Sequence, residues 1–358
     1  VQRWLIDQCQ HFIKEFGIDG FRVDLAGQID RQTLSKLRQA VGPDIILYGE
    51  PWIGSSDPAY ESNPSWDWYK HNSPITYFQD ESRNAFQGSP FELYDKHLHR
   101  GYAGGNFRLK DKAKAALSAN FPEDYTPLNG ISYIDIHDNW TLADRFAQAD
   151  WNGLKGVEEA RYKIATLLLY TSLGPIVTHG GSEIMRSKGL APIDKSLRTM
   201  EDGTRVFFKG RGDTYNVRTP NQFLWETVGQ KSKKGSPDYA GMQAFWRGLN
   251  HFRLSEYGKV FRQAERVSPD HYRWLDTVNP YQLGYLVDEK VLVLLNVGSE
   301  FHDWDEVYLP PGSWKLVGNL SGVDHQNGIK DKQYGTLTGG QSHRFRLDGP
   351  SFMMWVRE

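Results

Sequence analysis

Three carboxylates fall at the ends of three short apolar runs. Asp24 follows Phe21-Arg22-Val23, Glu50 follows Ile45 to Gly49, and Asp138 follows Ile134 to His137. Runs of this kind read as buried strands. Parallel α/β sheets and (β/α)8 barrels gather ligands at the C-terminal ends of their strands. Two carboxyl groups flanking a scissile bond are what glycoside hydrolysis requires, one as general acid and one as nucleophile or base. A third can stabilise the positive charge of an oxocarbenium-like transition state. Crowding of carboxylates raises a pKa, which keeps one of them protonated as the acid near neutral pH. Two other readings stand beside this one. A single Asp or Glu after a strand often caps the next helix or binds an arginine, and the same three groups could ligate a divalent metal.

The elements that must position these groups are legible in the spacing. Trp4, Leu5, Cys9, Phe12, Ile13 and Phe16 recur at helical period, and Gly17 ends that helix. Gly20 to Leu25 reads as a strand, Gln28 to Val41 as a helix stopped at Gly42-Pro43, and Asp44 to Tyr48 as a second strand. Helix–strand–helix–strand with short apolar strands predicts a parallel sheet with helical crossovers. Ile53 to Ser73 reads as loop. Further strands are expected at Pro74–Phe78, Ile131–Ile136 and Gly174–His179, and helices at Asp80–Phe86, Lys110–Ala119, Ala160–Ser172 and Met242–Leu254. Residues 186–235 form a long polar connection. Beyond about residue 265 the texture changes. Tyr281–Val287, Val291–Asn296, Phe345–Leu347 and Phe352–Val356 are strand-like and separated by Gly, Pro, Asp and Asn turns, which predicts an antiparallel β-domain. The expected division is 1–264 and 265–358.

Composition narrows the function classes. The 358 residues suit about two domains. Lys plus Arg is 42 against 44 Asp plus Glu, a net charge of -2, which lacks the dense positive field that nucleic acid demands. The longest apolar stretch, Ile164 to Val177, is interrupted by Thr166, Ser172, Gly174 and Pro175 and is too short to span a bilayer. One cysteine forms no internal disulfide. It fits bacterial cytoplasm, periplasm or secretion alike. The 12 Trp, 18 Tyr and 18 Phe supply core, or platforms for ring-shaped ligands.

The words around the carboxylates are more specific. Gly20-Phe-Arg-Val-Asp-Leu25, Tyr48-Gly-Glu-Pro-Trp52 and His137-Asp-Asn139, in that order, resemble three signatures of the α-amylase family, glycoside hydrolase family 13. Phe78-Gln-Asp-Glu-Ser-Arg-Asn-Ala85, and His179-Gly-Gly-Ser-Glu183 followed by Arg186-Ser-Lys188, are similar to the type I pullulanase branch. The resemblance implies a (β/α)8 TIM barrel and a retaining double displacement on α-glucans such as pullulan, starch or glycogen, at α-1,6 or α-1,4 bonds. It casts Asp24 as nucleophile, Glu50 as acid and then base, and Asp138 as transition-state stabiliser. Arg22, on the same strand face as Asp24, would hold the nucleophile ionised and oriented. His137 and Asn139 would contact sugar hydroxyls or position Asp138, and Trp52 would stack on a sugar ring, with core packing the alternative for His137 and Trp52. No cofactor is required for this chemistry and no metal is expected at the carboxylates; a structural calcium elsewhere is left open. Pro51, Gln28, Trp140 and Ala143 depart from the branch's pattern and leave the linkage preference open.

Five barrel-type strands are countable, where a closed barrel has eight. The family's first conserved word has no counterpart before Asp24. The expectation is therefore a C-terminal barrel portion, strands 4–8, followed by an antiparallel β-sandwich, with strands 1–3 supplied by a second chain or segment. Three alternatives are carried. One is transglycosylation at the same site. Another is a non-catalytic glucan-binding or assembly subunit, and the last is a metal-dependent barrel enzyme.

Overall fold

A computed structural model describes residues 1–52, 62–91, 99–120, 130–191, 197–199, 205–207, 214–231, 236–263, 265–275 and 277–358. Parts of the expected loop at 53–73 and of the polar connection at 186–235, and the boundary residue Ala264, lie outside the described residues.

The N-terminal part is built on a parallel sheet. Strand β1 (Gly20–Val23) pairs with β2 (Ile46–Gly49), β2 with β3 (Thr76–Gln79), and β3 with β4 (Gly130–Ser132), all parallel. A fifth segment joins through one parallel bridge. Ser132 N–H donates to Pro175 O at 3.0 Å, and Val177 N–H donates to Ser132 O at 2.9 Å. The five apolar runs thus lie side by side in chain order. The last two are shorter than their apolar lengths predict: Tyr133 to Ile136 is buried but runs on past the ladder, so burial and pairing part company there.

Helix α1 (Gln2–Phe16) ends at Gly17, whose φ of 61° lets its N–H cap Ile13 O. Helix α2 (Arg31–Val41) starts later than Gln28, because Ile29 is extended and Asp30 caps Thr33 N–H. Leu34 and Leu37 of α2 pack with Leu47 and Ile75 on one sheet face, and Phe78, Ile131, Tyr133 and Ile136 with Tyr48, Trp52 and Val177 form a second cluster. Within the expected loop at 53–73 lies a short helix, α3 (Trp66–His71), started by the Ser65 side chain. It is one turn longer than a cap, below the length at which periodicity speaks. Then follow α4 (Asp80–Phe86), α5 (Lys110–Ser118), α6 (Leu142–Arg145), α7 (Glu159–Tyr170), the hairpin of β5 (Leu197–Thr199) and β6 (Arg205–Phe207), α8 (Arg218–Asn221) and α9 (Tyr239–Leu254).

The C-terminal part is antiparallel. Its strands are β7 (Tyr272–Leu275), β8 (Gln282–Val287), β9 (Val291–Asn296), β10 (His302–Leu309), β11 (Ser313–Asn319), β12 (Gly322–Val323), β13 (Thr336–Thr338), β14 (Gln341–Leu347) and β15 (Ser351–Arg357). They form a sheet of order β12-β11-β15-β9-β8-β7, with β13 on β11, and a separate pair β10–β14. All six residues of β9 are buried, because both faces are covered. Val291, Val293 and Leu295 join the core that holds Phe245 and Leu249 of α9 and most of α7, while Leu292 and Leu294 join Trp304, Phe345 and Trp355 beneath the β10–β14 pair. Alternate residues therefore serve two interfaces. The first is continuous with the core under α4, α5 and α7, so the helices rest on a stiff sheet.

At the opposite edge no strand pairs with the outer side of β1 among the described residues. No residue of α1 is buried, and Trp4, Phe12, Phe16 and Ile46 are exposed. Among the described residues no helix is long and apolar enough to cross a membrane.

Candidate active site

The carboxylates sit where parallel strands end. Asp24 follows β1, and Glu50 follows β2. The register sets Arg22 opposite Tyr48 and Val23 opposite Gly49, which brings the two strand ends level. Gly49 is needed there, since a Cβ would lie 2.8 Å from the Cβ of Ala26.

Arg22 joins the two groups. One terminal nitrogen donates to Asp24 Oδ1, and the other donates to Glu50 Oε1 at 2.5 Å. The second oxygen of Glu50 accepts from Leu25 N–H at 2.9 Å. Leu25 reaches that position in the left-handed region, at φ 43°. The two carboxylates differ in surroundings: the Asp24 side chain is 69% exposed and that of Glu50 is 3% exposed. Burial pushes the Glu50 carboxyl above its ordinary value and the charge of Asp24 adds to that, against the lowering effects of Leu25 N–H and Arg22. One strand pair thus holds an open carboxylate beside a buried one that favours its proton.

A polar group next to Glu50 was not visible as such in the sequence. Tyr133 OH accepts from Arg83 at 2.6 Å and donates to Asp80 Oδ1 at 2.5 Å, and Arg83 pairs with Asp80 at 2.7 Å. The Tyr133 hydroxyl is held well above its usual range, chiefly by burial, with the charges of Asp80 and Glu50 contributing. Asp80 and Arg83 lie inside the word Phe78–Ala85, whereas Tyr133 reads only as strand filling.

Asp138 belongs to a second group beyond β4, with β3 lying between β2 and β4. Two strand spacings put β4 about 10 Å across the sheet from β2. The Asp138 carboxylate lies 3.4 Å from His137 Nε2, and Asn139 turns the chain in the left-handed region at φ 54°. His137, Asp138 and Asn139 are half-buried. Buried groups from the loop after the fifth segment hold this turn. Lys188 Nζ donates to His137 O at 2.7 Å, and Arg186 donates to Ile136 O at 3.1 Å. Asp144 accepts from Ser187 Oγ and Lys188 N–H at 2.5 and 2.8 Å. Burial lowers the Lys188 ammonium to about 8, with Asp138 opposing the shift. Burial also lowers His179 at the end of the fifth segment, with His137 among the neighbouring charges acting on it.

The structure brings Arg22, Asp24 and Glu50 into one hydrogen-bonded group and holds His137, Asp138 and Asn139 in the second. Trp52 stacks on Phe78, with centroids 6.3 Å apart and planes at 21°, and is half-buried. One face is therefore already used by protein. Among the described residues no group of three or more His, Cys, Asp or Glu is arranged to hold a metal ion.

Parallel strands with an arginine-bridged carboxylate pair at their ends, together with an antiparallel β-sandwich, are the fold this chain shares with solved pullulanase structures. In sequence it is similar to pullulanases, and over shorter stretches to cyclomaltodextrinases and maltogenic amylases. It is 30% identical to Pullulanase A of Streptococcus pneumoniae serotype 4 over 198 residues, covering 52% of this chain and 15% of that protein. It is 26% identical to the Pullulanase of Bacillus subtilis over 202 residues, 52% of this chain and 27% of the relative. The crystal structure of pullulanase complexed with maltotetraose from Anoxybacillus sp. LM18-11 superimposes with a TM-score of 0.68 at 22% identity, covering 100% of this chain and 46% of that one. The catalytic module of the glycogen-degrading pneumococcal virulence factor SpuA gives 0.72 at 19% identity, covering 100% and 55%. No family model matches the chain. The chain spans 15% to 27% of the length of these two curated relatives.

Proposed function

We propose that this chain carries the catalytic carboxylates of a retaining glycoside hydrolase acting on α-glucans. Asp24 attacks the anomeric carbon while Glu50 gives its proton to the leaving oxygen. The glycosyl–Asp24 ester is then hydrolysed by water that Glu50, now a carboxylate, deprotonates. Asp138 faces the developing oxocarbenium charge from across the sheet, with His137 and Asn139 on the sugar hydroxyls. The observation that carries this is the asymmetry of the Arg22-bridged pair: Asp24 is open and Glu50 is buried with its pKa raised. A nucleophile must be reachable and ionised, and an acid must hold its proton. The chemistry uses carboxyl groups alone, without a cofactor. The pullulanase relatives support an α-glucan substrate, and a neighbour solved with maltotetraose supports a chain of glucose units as the ligand.

The test is the anomeric configuration of the first product released by the full-length protein from pullulan and from linear maltooligosaccharides. Retention is expected; inversion would remove Asp24 from the nucleophile's role. Products from the two substrates also separate α-1,6 from α-1,4 cleavage.

A second proposal rests on the β1 edge. Among the described residues no strand pairs with the outer side of β1, and Trp4, Phe12 and Phe16 of α1 are exposed; bare edges of parallel sheets are normally covered. We infer that further strands, from another segment or chain, pair with β1. The amides of Gly20 and Arg22, which face away from β2, should then be protected from hydrogen exchange in the full-length protein. Exchange as fast as at a free strand edge would contradict this.

A further inference from the structure

The loop that follows α8 carries an aromatic platform unused by the chemistry above. Trp225 is 74% exposed, more than any other tryptophan among the described residues. Large exposed aromatics scattered singly require no explanation, but this one is supported and fixed. Its ring lies 4.5 Å from that of Phe223. Phe223 is half-buried and lines a small internal cavity with Leu154, Ile184 and Met185, which anchors the underside. The turn is locked by Thr227 N–H donating to Leu224 O at 2.9 Å and by the buried Thr227 hydroxyl donating to the same oxygen at 2.8 Å.

The loop is also tied to the candidate site. Asn221 Nδ2 donates to Val217 O at 2.9 Å, and its Oδ1 accepts from Arg186 at 3.3 Å. The same arginine donates to Ile136 O, two residues before Asp138. Trp225 is four positions after Asn221, a reach of about 14 Å at most. The residues around it in the chain are mostly polar: Gln222, Glu226 and Gln230 are exposed, with Val228 the apolar exception. An open indole face in a mostly polar loop suits a ligand with C–H faces and rims of hydroxyl groups.

We propose that Trp225, backed by Phe223, is a stacking platform for a distal glucose unit of the α-glucan chain whose cleaved bond lies at Asp24 and Glu50. This rests on the glycosidase reading above and extends it from the bond broken to the length of chain recognised. A platform at this distance contributes only when the substrate is long enough to reach it.

The test compares Trp225→Ala and Trp225→Tyr with the parent full-length protein on maltooligosaccharides of increasing length. Trp225→Ala should lower the ratio of kcat/KM on long chains to that on short chains about tenfold, through KM, as expected for loss of one aromatic anchor. Trp225→Tyr should restore most of it. A ratio within about twofold of the parent's in Trp225→Ala overturns the platform while leaving the carboxylate chemistry standing. A parent that neither binds nor cleaves any α-glucan overturns both. A multimer lost in Trp225→Ala, with the length profile unchanged, would make the patch a protein contact and likewise end the proposal.

Discussion

Replacing Arg22 by methionine probes the centre of the site, because one guanidinium serves two carboxylates of unlike exposure. The contact with Asp24 lies mostly in solvent, with that side chain 69% exposed. An ion pair there contributes about 0–1 kcal/mol and is screened by salt. The contact with Glu50 is different, since that carboxyl is 3% exposed. A charge-assisted hydrogen bond to a buried group contributes about 1.5–3 kcal/mol. The Glu50 contact therefore dominates, and the variant should lose about 2–3 kcal/mol once the pH is high enough to charge Glu50, which then keeps only Leu25 N–H as a partner among the described residues. The loss depends on pH in a defined direction. Glu50 already titrates above its ordinary 4.5, and removing the cation raises it further. A raised carboxyl contributes its stability below its unfolded pKa and loses it as pH rises through the folded one. The variant should therefore differ from the parent by about 1 kcal/mol or less near pH 4.5, and by the full amount well above the raised pKa of Glu50. Urea unfolding of both proteins at the two pH values measures this as a midpoint shift at constant slope. Equal destabilisation at both values, or less than about 0.5 kcal/mol at the higher pH, would refute the bridging role.

Other expectations follow from the same geometry. Asp24→Asn should lower turnover by several orders of magnitude, as for loss of a covalent catalyst, while the unfolding midpoint moves little because the side chain is open to solvent; turnover within about tenfold of the parent would exclude the role. Lys188 titrates at about 8 against an ordinary 10.5, a penalty of about 3 kcal/mol on the charged form that is complete below about pH 8 and gone above 10.5. Lys188→Met removes that penalty and also removes the bond to His137 O, worth about 1.5–3 kcal/mol. Thermal stability near pH 7 should therefore change by less than about 1.5 kcal/mol, while kcat drops at least about tenfold as Asp138 loses its support; unchanged kcat would sever Lys188 from the site. Chelator treatment should leave the kcat of folded protein within about twofold, because the carboxylates act without a metal; abolition of turnover with the fold intact would favour the metal-dependent reading.

The strand order was legible because each strand is a short apolar run, three of them ending in a carboxylate, and length separates such runs from helices of 10 residues or more. The length of pairing was not. Tyr133 to Ile136 is as apolar as a strand and fully buried, yet burial does not dictate which backbone groups find partners. The late start of α2 depends on the Asp30 cap, a residue whose backbone role is set by three neighbours rather than by its own type. At the site, Arg22 two residues before Asp24 announced their contact by strand period. Its second bond, to Glu50, required the register of β1 against β2, which is a tertiary fact. The same holds for Lys188 and His137, which are 51 residues apart, and for Tyr133 and Asp80, which are 53 apart. Trp52 reads equally well as sugar platform or core from sequence, and the ring stacked against it is Phe78.

The most direct test of the central claim is covalent. A slow glucosyl fluoride substrate, added to the full-length protein carrying Glu50→Gln, should accumulate the glycosyl-enzyme, because the step that needs the base is blocked while the activated leaving group needs no acid. Peptide mass spectrometry should then find one hexose mass on the peptide containing Asp24. A hexose on another residue, or turnover of the fluoride with inversion and no labelled peptide, would contradict Asp24 as the nucleophile.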